Sequence, residues 1–572
     1  MNDLVTAVID VPDGGTPNVT LTETSTVTAV VTNATPTTAG VLSQVQLPTG
    51  VVSIDNDPLV TADIVETDEL YWSENTTTGV DIYSSAFGNT KVAQLTTGAK
   101  TVEFFTTNRT FTQQKPPFTD LFDRTTASGW GATEGGGTWG NFNGTASNYN
   151  TNGVGTIHPS INLSHYVRIN DIVKAFDVEL IVSLTTAPTG ATNSVSLMTG
   201  FQTTSNHNRF RLTFNTTKSL SANISEVVSG TETLLATAVT VAPAATYVAN
   251  QKWHIRAVHD GAGNLSMYTW KDGDPTPTVP SVTAFSTTYL TGKLGVRVLT
   301  ATGNTNDATY EFHSYAGSAT YPTPPVVTHN VWVRTMSTPF AGTIDWDWIK
   351  AHVNDTTDDV LAQAMKYVYG GTTRSFYGPL YNIGRSWDVG HADDGTRQEG
   401  SDWNDYLGID GSVRYTHLVP PQTDAAEAHQ LGCLDCSGYV RTIYGVEQGL
   451  PLCLDVAGDY DGLNIPRRSV DQAASGPGYL VIPHSGSSAP ASRANILPGD
   501  LVYFDADTTD PTEEEGQVDH SGIYLGVDTL GNERFISSRK TINGPMFSDT
   551  GGNSWLNGTS LYARSFRACR RF

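Results

Sequence analysis

Leu434-Asp435-Cys436-Ser437-Gly438-Tyr439-Val440 is the stretch on which the reading of this chain turns. Asp435 carries the short carboxylate that caps helix N-termini, and Val440, Ile443 and Tyr444 follow Cys436 at helical spacing. Cys436 is therefore expected in the first turn of a helix whose apolar side is buried. Helix N-termini favour negative charge, which lowers a thiol pKa towards a reactive thiolate. A buried structural cysteine is the plain alternative, and the stretch alone leaves both open.

Downstream, Leu497 to Phe504 and Asp519 to Gly526 each read as a turn feeding a strand, with His520 at the start of the second. A histidine there can face a helix N-terminus packed across the sheet. A thiolate–imidazolium pair, with His520 as base and then acid, is what acyl transfer through a cysteine requires. Upstream, Asp355 to Tyr369 reads as a helix capped by Asp355 or Thr356. Val360, Leu361, Ala364 and Val368 share one face, and Gly370-Gly371 stops it.

Taken in order, Tyr367 to Gly371 (Tyr-x-Tyr-Gly-Gly), Asp435 to Gly438 (Asp-Cys-Ser-Gly), Pro466 to Gln472, Pro498 to Phe504 and His520 to Gly526 resemble the NlpC/P60 cysteine peptidases. The closing Ala568 to Phe572 is similar to that family's terminal strand. The resemblance spans 355–572 and implies a papain-like α+β domain that cuts bacterial peptidoglycan, typically between D-γ-glutamyl and a diamino acid. It implies Cys436 as nucleophile, His520 as general base and Tyr367 as the hydroxyl neighbouring the nucleophile. Asp435 and Ser437 would line the adjoining substrate-binding subsite. The family's third polar residue, commonly His, Asn or Gln, falls here on Ser537, which reaches less far; Ser538 and Asn543 are fallback positions. An insertion, 372–432, separates the Tyr-Gly-Gly turn from the cysteine and could cap or narrow a cleft. An acidic loop, Asp505 to Gln517 with Glu513-Glu514-Glu515, precedes His520 and, if near the cleft, should raise the histidine pKa.

The rest of the 572 residues reads as multidomain and β-rich. Residues 1–116 alternate apolar and small polar residues, as in Thr101-Val102-Glu103-Phe104-Phe105, and form a β-rich N-terminal domain expected to attach to a tail. Lys115-Pro116-Pro117 ends it. Residues 117–318 show recurrent strands and a hairpin across Asp260 to Asn264. With Asp120 to Arg124 and the Trp130/Trp139 region they resemble the concanavalin-like, laminin-G-like jelly rolls of phage tail proteins. That β-sandwich fold often binds glycans by aromatic stacking. Trp130, Trp139, Trp253 and Trp270 are equally explained as packing. Residues 319–354 read as a Pro-rich linker and a short, unassigned aromatic segment, Ile344 to Ile349.

A net charge of −24 lacks the basic footprint that phosphate binding needs, so nucleic acid is not an expected partner. Four cysteines, all in the last third, make no disulfide framework. Cys433 and Cys436 lack a second ligand pair for zinc. Asp388, His391, Asp393 and Asp394 lack the spacing of a calcium loop, so neither metal nor cofactor is expected. The first residues show no basic and apolar leader, and no apolar run is long enough to span a membrane. Together these features fit a virion-borne peptidoglycan hydrolase at a phage tail tip, a homo-oligomer among other tail proteins, with the jelly roll on cell-surface glycan. The alternatives are a structural minor tail or receptor-binding protein with a degenerate peptidase fold, and a CHAP-type N-acetylmuramoyl-L-alanine amidase.

Overall fold

The computed structural model describes residues 5–10, 27–32, 70–75, 79–85, 89–115, 118–131, 133, 139–321, 324–371, 374–376, 381–383, 386, 389–391, 397–399, 403–408, 430–453, 462–507, 514–539, 544–549 and 553–572. No helix in them is long and apolar enough to cross a membrane.

The N-terminal alternation produces a short parallel pair, Val5–Asp10 with Val27–Thr32, and a larger antiparallel sheet. That sheet orders Leu70–Asn75, Gly79–Ser84, Thr90–Thr96 and Thr101–Thr112 side by side, and its fifth strand is Val326–Thr335. The stretch read as a linker thus contributes ten residues of strand, because Val327, Val331 and Val333 alternate towards a buried face. The unassigned aromatic segment becomes helix α1 (Trp346–His352), capped by Asp345, whose side chain accepts from the Trp348 N–H at 3.0 Å. Trp348 and His352 pack against Phe104.

Val326 pairs directly with Thr112, so the chain leaves the sheet and re-enters it at neighbouring positions. The described residues between, within 118–321, form a sandwich of two antiparallel sheets inserted into this hairpin. The predicted hairpin is present, with Trp253–His259 paired to Asn264–Lys271. Asp260 accepts three N–H groups in the turn. Trp130, Trp139 and Trp253 lie in the core between the sheets, and Trp270 stacks on His254 under 8% exposure. These rings are packing, not a stacking surface. The described polar ties between sandwich and remainder include Lys115 to Asp171 at 2.6 Å and Tyr321 to Ser548 at 2.8 Å. Replacing 118–321 by a short Gly-Asn turn is expected to leave one cooperative melt, shifted by no more than about 1–3 kcal/mol of lost contacts. Loss of cooperativity in a thermal melt followed by circular dichroism would refute this.

The C-terminal part is a six-stranded antiparallel sheet in the order Tyr479–Ile482, Phe566–Arg571, Leu501–Phe504, His520–Val527, Glu533–Arg539, Gly544–Met546. Helix α2 (Val360–Met365) is shorter than expected and starts later. Asp359 caps it, accepting from Ala362 N–H at 2.9 Å, while Asp355 instead turns back on Thr357 and pairs with Arg334. Helix α3 (Trp403–Leu407) is the described helix within the insertion, most of which lies outside the described residues together with Asn543, Glu513, Asp388, Asp393 and Asp394. Helix α4 (Cys436–Arg441) runs on as a π-helical turn, Thr442–Glu447, and helix α5 (Ser469–Ser475) and helix α6 (Leu561–Ser565) follow. Phe111, Val327, Val331 and Val333 share one core with α2, α4 and this sheet, so the N-terminal sheet and the C-terminal part are packed as a unit.

Candidate active site

Asp435 caps α4 as its sequence predicts, accepting from the Gly438 N–H at 2.5 Å. Helix α4 is fixed from behind by three anchors. Tyr439 donates to the Ala364 carbonyl at 2.8 Å, Arg441 donates to the carbonyls of Cys453 and Ile465, and Tyr444 donates to that of Gly499. These contacts hold the start of α4 over the edge of the sheet where the His520–Val527 strand begins.

The Cys436 sulfur lies 3.5 Å from Ser469 Oγ on α5 and 3.9 Å from the carbonyl oxygen of Asp519, the residue before His520. Ser469 Oγ in turn reaches Ser521 Oγ at 3.1 Å. On the next strand, Ser537 Oγ sits 3.1 Å from His520 Nε2, at the position where the family resemblance leads one to expect a third polar group. Ser538 points elsewhere, donating to the Leu434 carbonyl at 2.7 Å. Tyr367 is buried, with its hydroxyl 2.7 Å from a Glu447 carboxylate oxygen and its ring edge-on to Tyr439.

Asp435 and Ser437 belong to a cluster that the residue-by-residue reading missed. Arg467 donates to Asp435 Oδ2 at 2.6 Å and to Ser437 Oγ at 2.6 Å, and Ser437 donates to Asp435 Oδ1 at 3.0 Å. The signal lies in the Pro466 to Gln472 motif, which holds both Arg467 and Ser469 at fixed distance. One guanidinium thus fixes the capping carboxylate beside Cys436 and leaves a polar wall next to the sulfur.

His520 does not follow the expected electrostatics. Enclosure between Phe504, with ring centroids 5.9 Å apart, and Tyr562, at 5.4 Å, starves the imidazolium of water, and the Arg539 charge adds to the effect. The pKa is pushed down to about 3, not raised by the acidic loop. Within that loop Asp505 is tied to Arg567 at 3.0 Å, and Asp519 receives the N–H groups of Ala506 and Asp507. The resting imidazole is therefore a neutral base. An unfolded histidine titrates near 6.5, so between that value and about 3 the unfolded chain binds the extra proton. This contribution to stability is complete above pH 6.5 and falls as pH drops through the window, by about 1.4 kcal/mol per unit at most. Urea melts between pH 4 and 7 should show that slope in the wild type and a shallower one in His520→Gln.

None of the four cysteines is joined in a disulfide, and Cys569 is buried in the terminal strand with its pKa pushed well up. Among the described residues no group of three or more His, Cys, Asp and Glu side chains is gathered as a metal would need.

Residues 425–562 match the NlpC/P60 family. No curated protein matches the chain. Similar solved structures include the carbohydrate binding module CBM66 from Bacillus subtilis, at 14% identity and TM-score 0.23, covering 32% of this chain and 95% of that one. A glycosyl hydrolase family 16 protein from Mycobacterium smegmatis matches at 12% identity and TM-score 0.26, covering 36% of this chain and all of the other. A legume lectin-like domain from Entamoeba histolytica matches at 11% identity and TM-score 0.24, covering 32% and 89%.

Proposed function

We propose that this chain is a peptidoglycan hydrolase, a cysteine endopeptidase that opens the host wall from a phage tail tip. The observation that carries the reading is the convergence of Cys436, at the capped start of α4, with the His520 strand and its Ser537 partner. With Ser537 against Nε2, the Nδ1 side of the ring is left to exchange a proton with the thiol. Cys436 Sγ attacks the carbonyl carbon of a stem-peptide amide as its proton passes to His520. Backbone N–H groups at the start of α4 stabilise the oxyanion. The C–N bond breaks, His520 returns the proton to the leaving amine, and a thioester remains. Water, deprotonated by His520, attacks the thioester; the carboxylate leaves and the thiol is restored. Asp435, Ser437 and Arg467 form the wall on which the stem peptide lies, and the D-γ-glutamyl–diamino acid bond is the expected scissile amide.

Full-length protein incubated with purified peptidoglycan should release fragments split inside the stem peptide, read by mass spectrometry. Whole stem peptides freed from sugar would mark an amidase instead, and no fragments from several wall types would mark a structural tail protein. Peptides of this chain in purified phage particles would test the virion assignment. Ser537→Ala removes one hydrogen bond from His520, worth about 1.4 kcal/mol, so kcat should fall about tenfold with KM little changed. An unchanged kcat would remove Ser537 from the site.

A further inference from the structure

The strand Thr101–Thr112 presents two faces. Val102 and Phe104 enter the core of the N-terminal sheet, so Glu103 between them faces the other way. Its cross-strand partner is Val333, which belongs to the core shared with the hydrolase. Glu103 therefore sits in the joint between the N-terminal and C-terminal sheets, and it is 1% exposed. Asp500, in the turn before the strand Leu501–Phe504, and Arg571, at the end of the terminal strand, meet it there, and both are buried.

Two carboxyl groups thus share one guanidinium, and the sharing is unequal. Arg571 gives Nε and Nη2 to Asp500 at 2.8 and 2.9 Å, and Nη1 to Thr96 Oγ1 at 2.8 Å. Its Nη2 also reaches the Asn495 carbonyl at 3.2 Å. Glu103 Oε1 lies 3.4 Å from an Nε already given to Asp500, and Glu103 Oε2 has no hydrogen-bond partner among the described residues. On the neighbouring strand Lys91 donates to Gln94 at 2.8 Å and pairs with Asp81 at 3.4 Å. Tyr444 and Cys569 also face the cluster, and burial pushes both well up, so they stay neutral. A second negative charge here has no cation of its own, and taking up a proton costs less than burying it bare. Burial raises the Glu103 pKa to about 8 against the pull of Arg571, with Asp500 adding to the rise. Asp500 is pushed up by burial as well, but its two bonds to Arg571 make it the ionised partner, which leaves the proton on Glu103.

The same turn holds the catalytic elements. Tyr524, on the His520 strand, donates its N–H to the Asp500 carbonyl at 2.8 Å, and Gly499 N–H donates to the Tyr524 carbonyl at 2.8 Å. Tyr444, behind α4, donates to the Gly499 carbonyl. We propose that this joint is a proton-dependent latch: with Glu103 protonated the N-terminal sheet grips the hydrolase, and release of that proton in alkaline medium loosens the Gly499–Asp500 turn and slows wall digestion. Only the last consequence rests on the hydrolase reading. An unfolded glutamate titrates near 4.5, so from there to about 8 the folded chain holds the extra proton. The stability this confers is complete below 4.5, falls through the window and is lost above 8.

The test compares the full-length wild type with Glu103→Gln, which keeps the shape of a neutral carboxyl group but cannot ionise. In urea melts from pH 6 to 9.5, the wild-type folded-to-unfolded ratio should fall relative to the variant by up to about tenfold per pH unit, then level off above 8. Lys91→Met removes a cation that favours the carboxylate and should move the levelling point to higher pH, a shift that a merely structural role for Glu103 does not produce. Infrared difference spectra of the wild type alone, between pH 6.5 and 9.5, should show loss of a protonated-carboxyl band, which keeps the test intact if a variant fails to fold. Peptidoglycan digestion should drop several-fold from pH 7.5 to 9.5 in the wild type, beyond any drop in Glu103→Gln. Parallel melts of wild type and Glu103→Gln across this range, or no loss of a carboxyl band, overturn the latch. Equal alkaline limbs of digestion with divergent melts overturn its link to the active site. No digestion by either protein at any pH counts against the hydrolase reading alone, and the melts and the band then decide the latch.

Discussion

Cys436→Ala is expected to abolish release of stem-peptide fragments, with a loss of at least about 10⁴-fold in kcat/KM. The size follows from the chemistry: without the sulfur no thioester forms, and His520 would have to activate water directly in a site built for a thiol. The fold should survive, because the sulfur's neighbours, Ser469 Oγ and the Asp519 carbonyl, do not hold α4 in place. That task falls to Asp435 at its start and to Tyr439, Arg441 and Tyr444 behind it. The thermal melt of the variant should therefore match the wild type within a degree or two. Wall digestion by Cys436→Ala at wild-type rate would exclude the thiol mechanism outright. Cys436→Ser is the sharper companion, since it keeps shape and hydrogen bonding but replaces the thiolate by a poorly ionised hydroxyl; it should be nearly as inactive. The acid limb of activity should lie well below pH 6.5, since His520 stays a neutral base down to about pH 3.

The legible part of this site was the part written in local code. A short carboxylate, a cysteine and apolar residues at helical spacing specify a capped helix from a handful of neighbours, and Asp435 and α4 follow that rule. His520 at a strand start and Ser537 on the adjoining strand are likewise set by alternation and register. Charge was not legible, because it depends on what folds around a group. The acidic loop is close to His520 in sequence, but its Asp505 is spent on Arg567, whereas Phe504, Tyr562 and Arg539 set the histidine's environment from other strands. Arg467 was hidden for a related reason: its partners lie thirty or more positions away. The strand Val326–Thr335 was masked by the prolines before it, and only its partner Thr101–Thr112, from the far side of the inserted sandwich, explains why it is extended.

That last pairing makes a strong expectation about where the hydrolase begins. Residues 355–572, the span of the family resemblance, are expected not to fold when expressed alone. The cut removes Phe111, Val327, Val331 and Val333 from the core they share with α2, α4 and the sheet. Burial of four such side chains is worth about 6–12 kcal/mol, the size of a domain's whole stability. It also strips Asp359, which caps α2 while accepting two hydrogen bonds from Arg109, at 2.6 and 2.7 Å, and one from the Val333 N–H at 2.7 Å. A buried carboxylate left without its cation costs about 3–5 kcal/mol more. At the other end of the interface Arg571 clasps Asp500 and reaches Thr96, and the terminal Phe572 carbonyl takes the N–H groups of Lys100 and Thr101. The clasp with Asp500 remains after the cut, but the contacts to Thr96, Lys100 and Thr101 are lost. A chain joining 89–115 to 324–572 through a short turn restores every one of these groups. Urea melts should therefore show a cooperative transition for the joined chain and none for 355–572. A cooperative, wall-cutting 355–572 would mean that the N-terminal sheet merely leans on the hydrolase; failure of both would place the missing stability in the sheet's outer strands, Leu70–Asn75 and Gly79–Ser84.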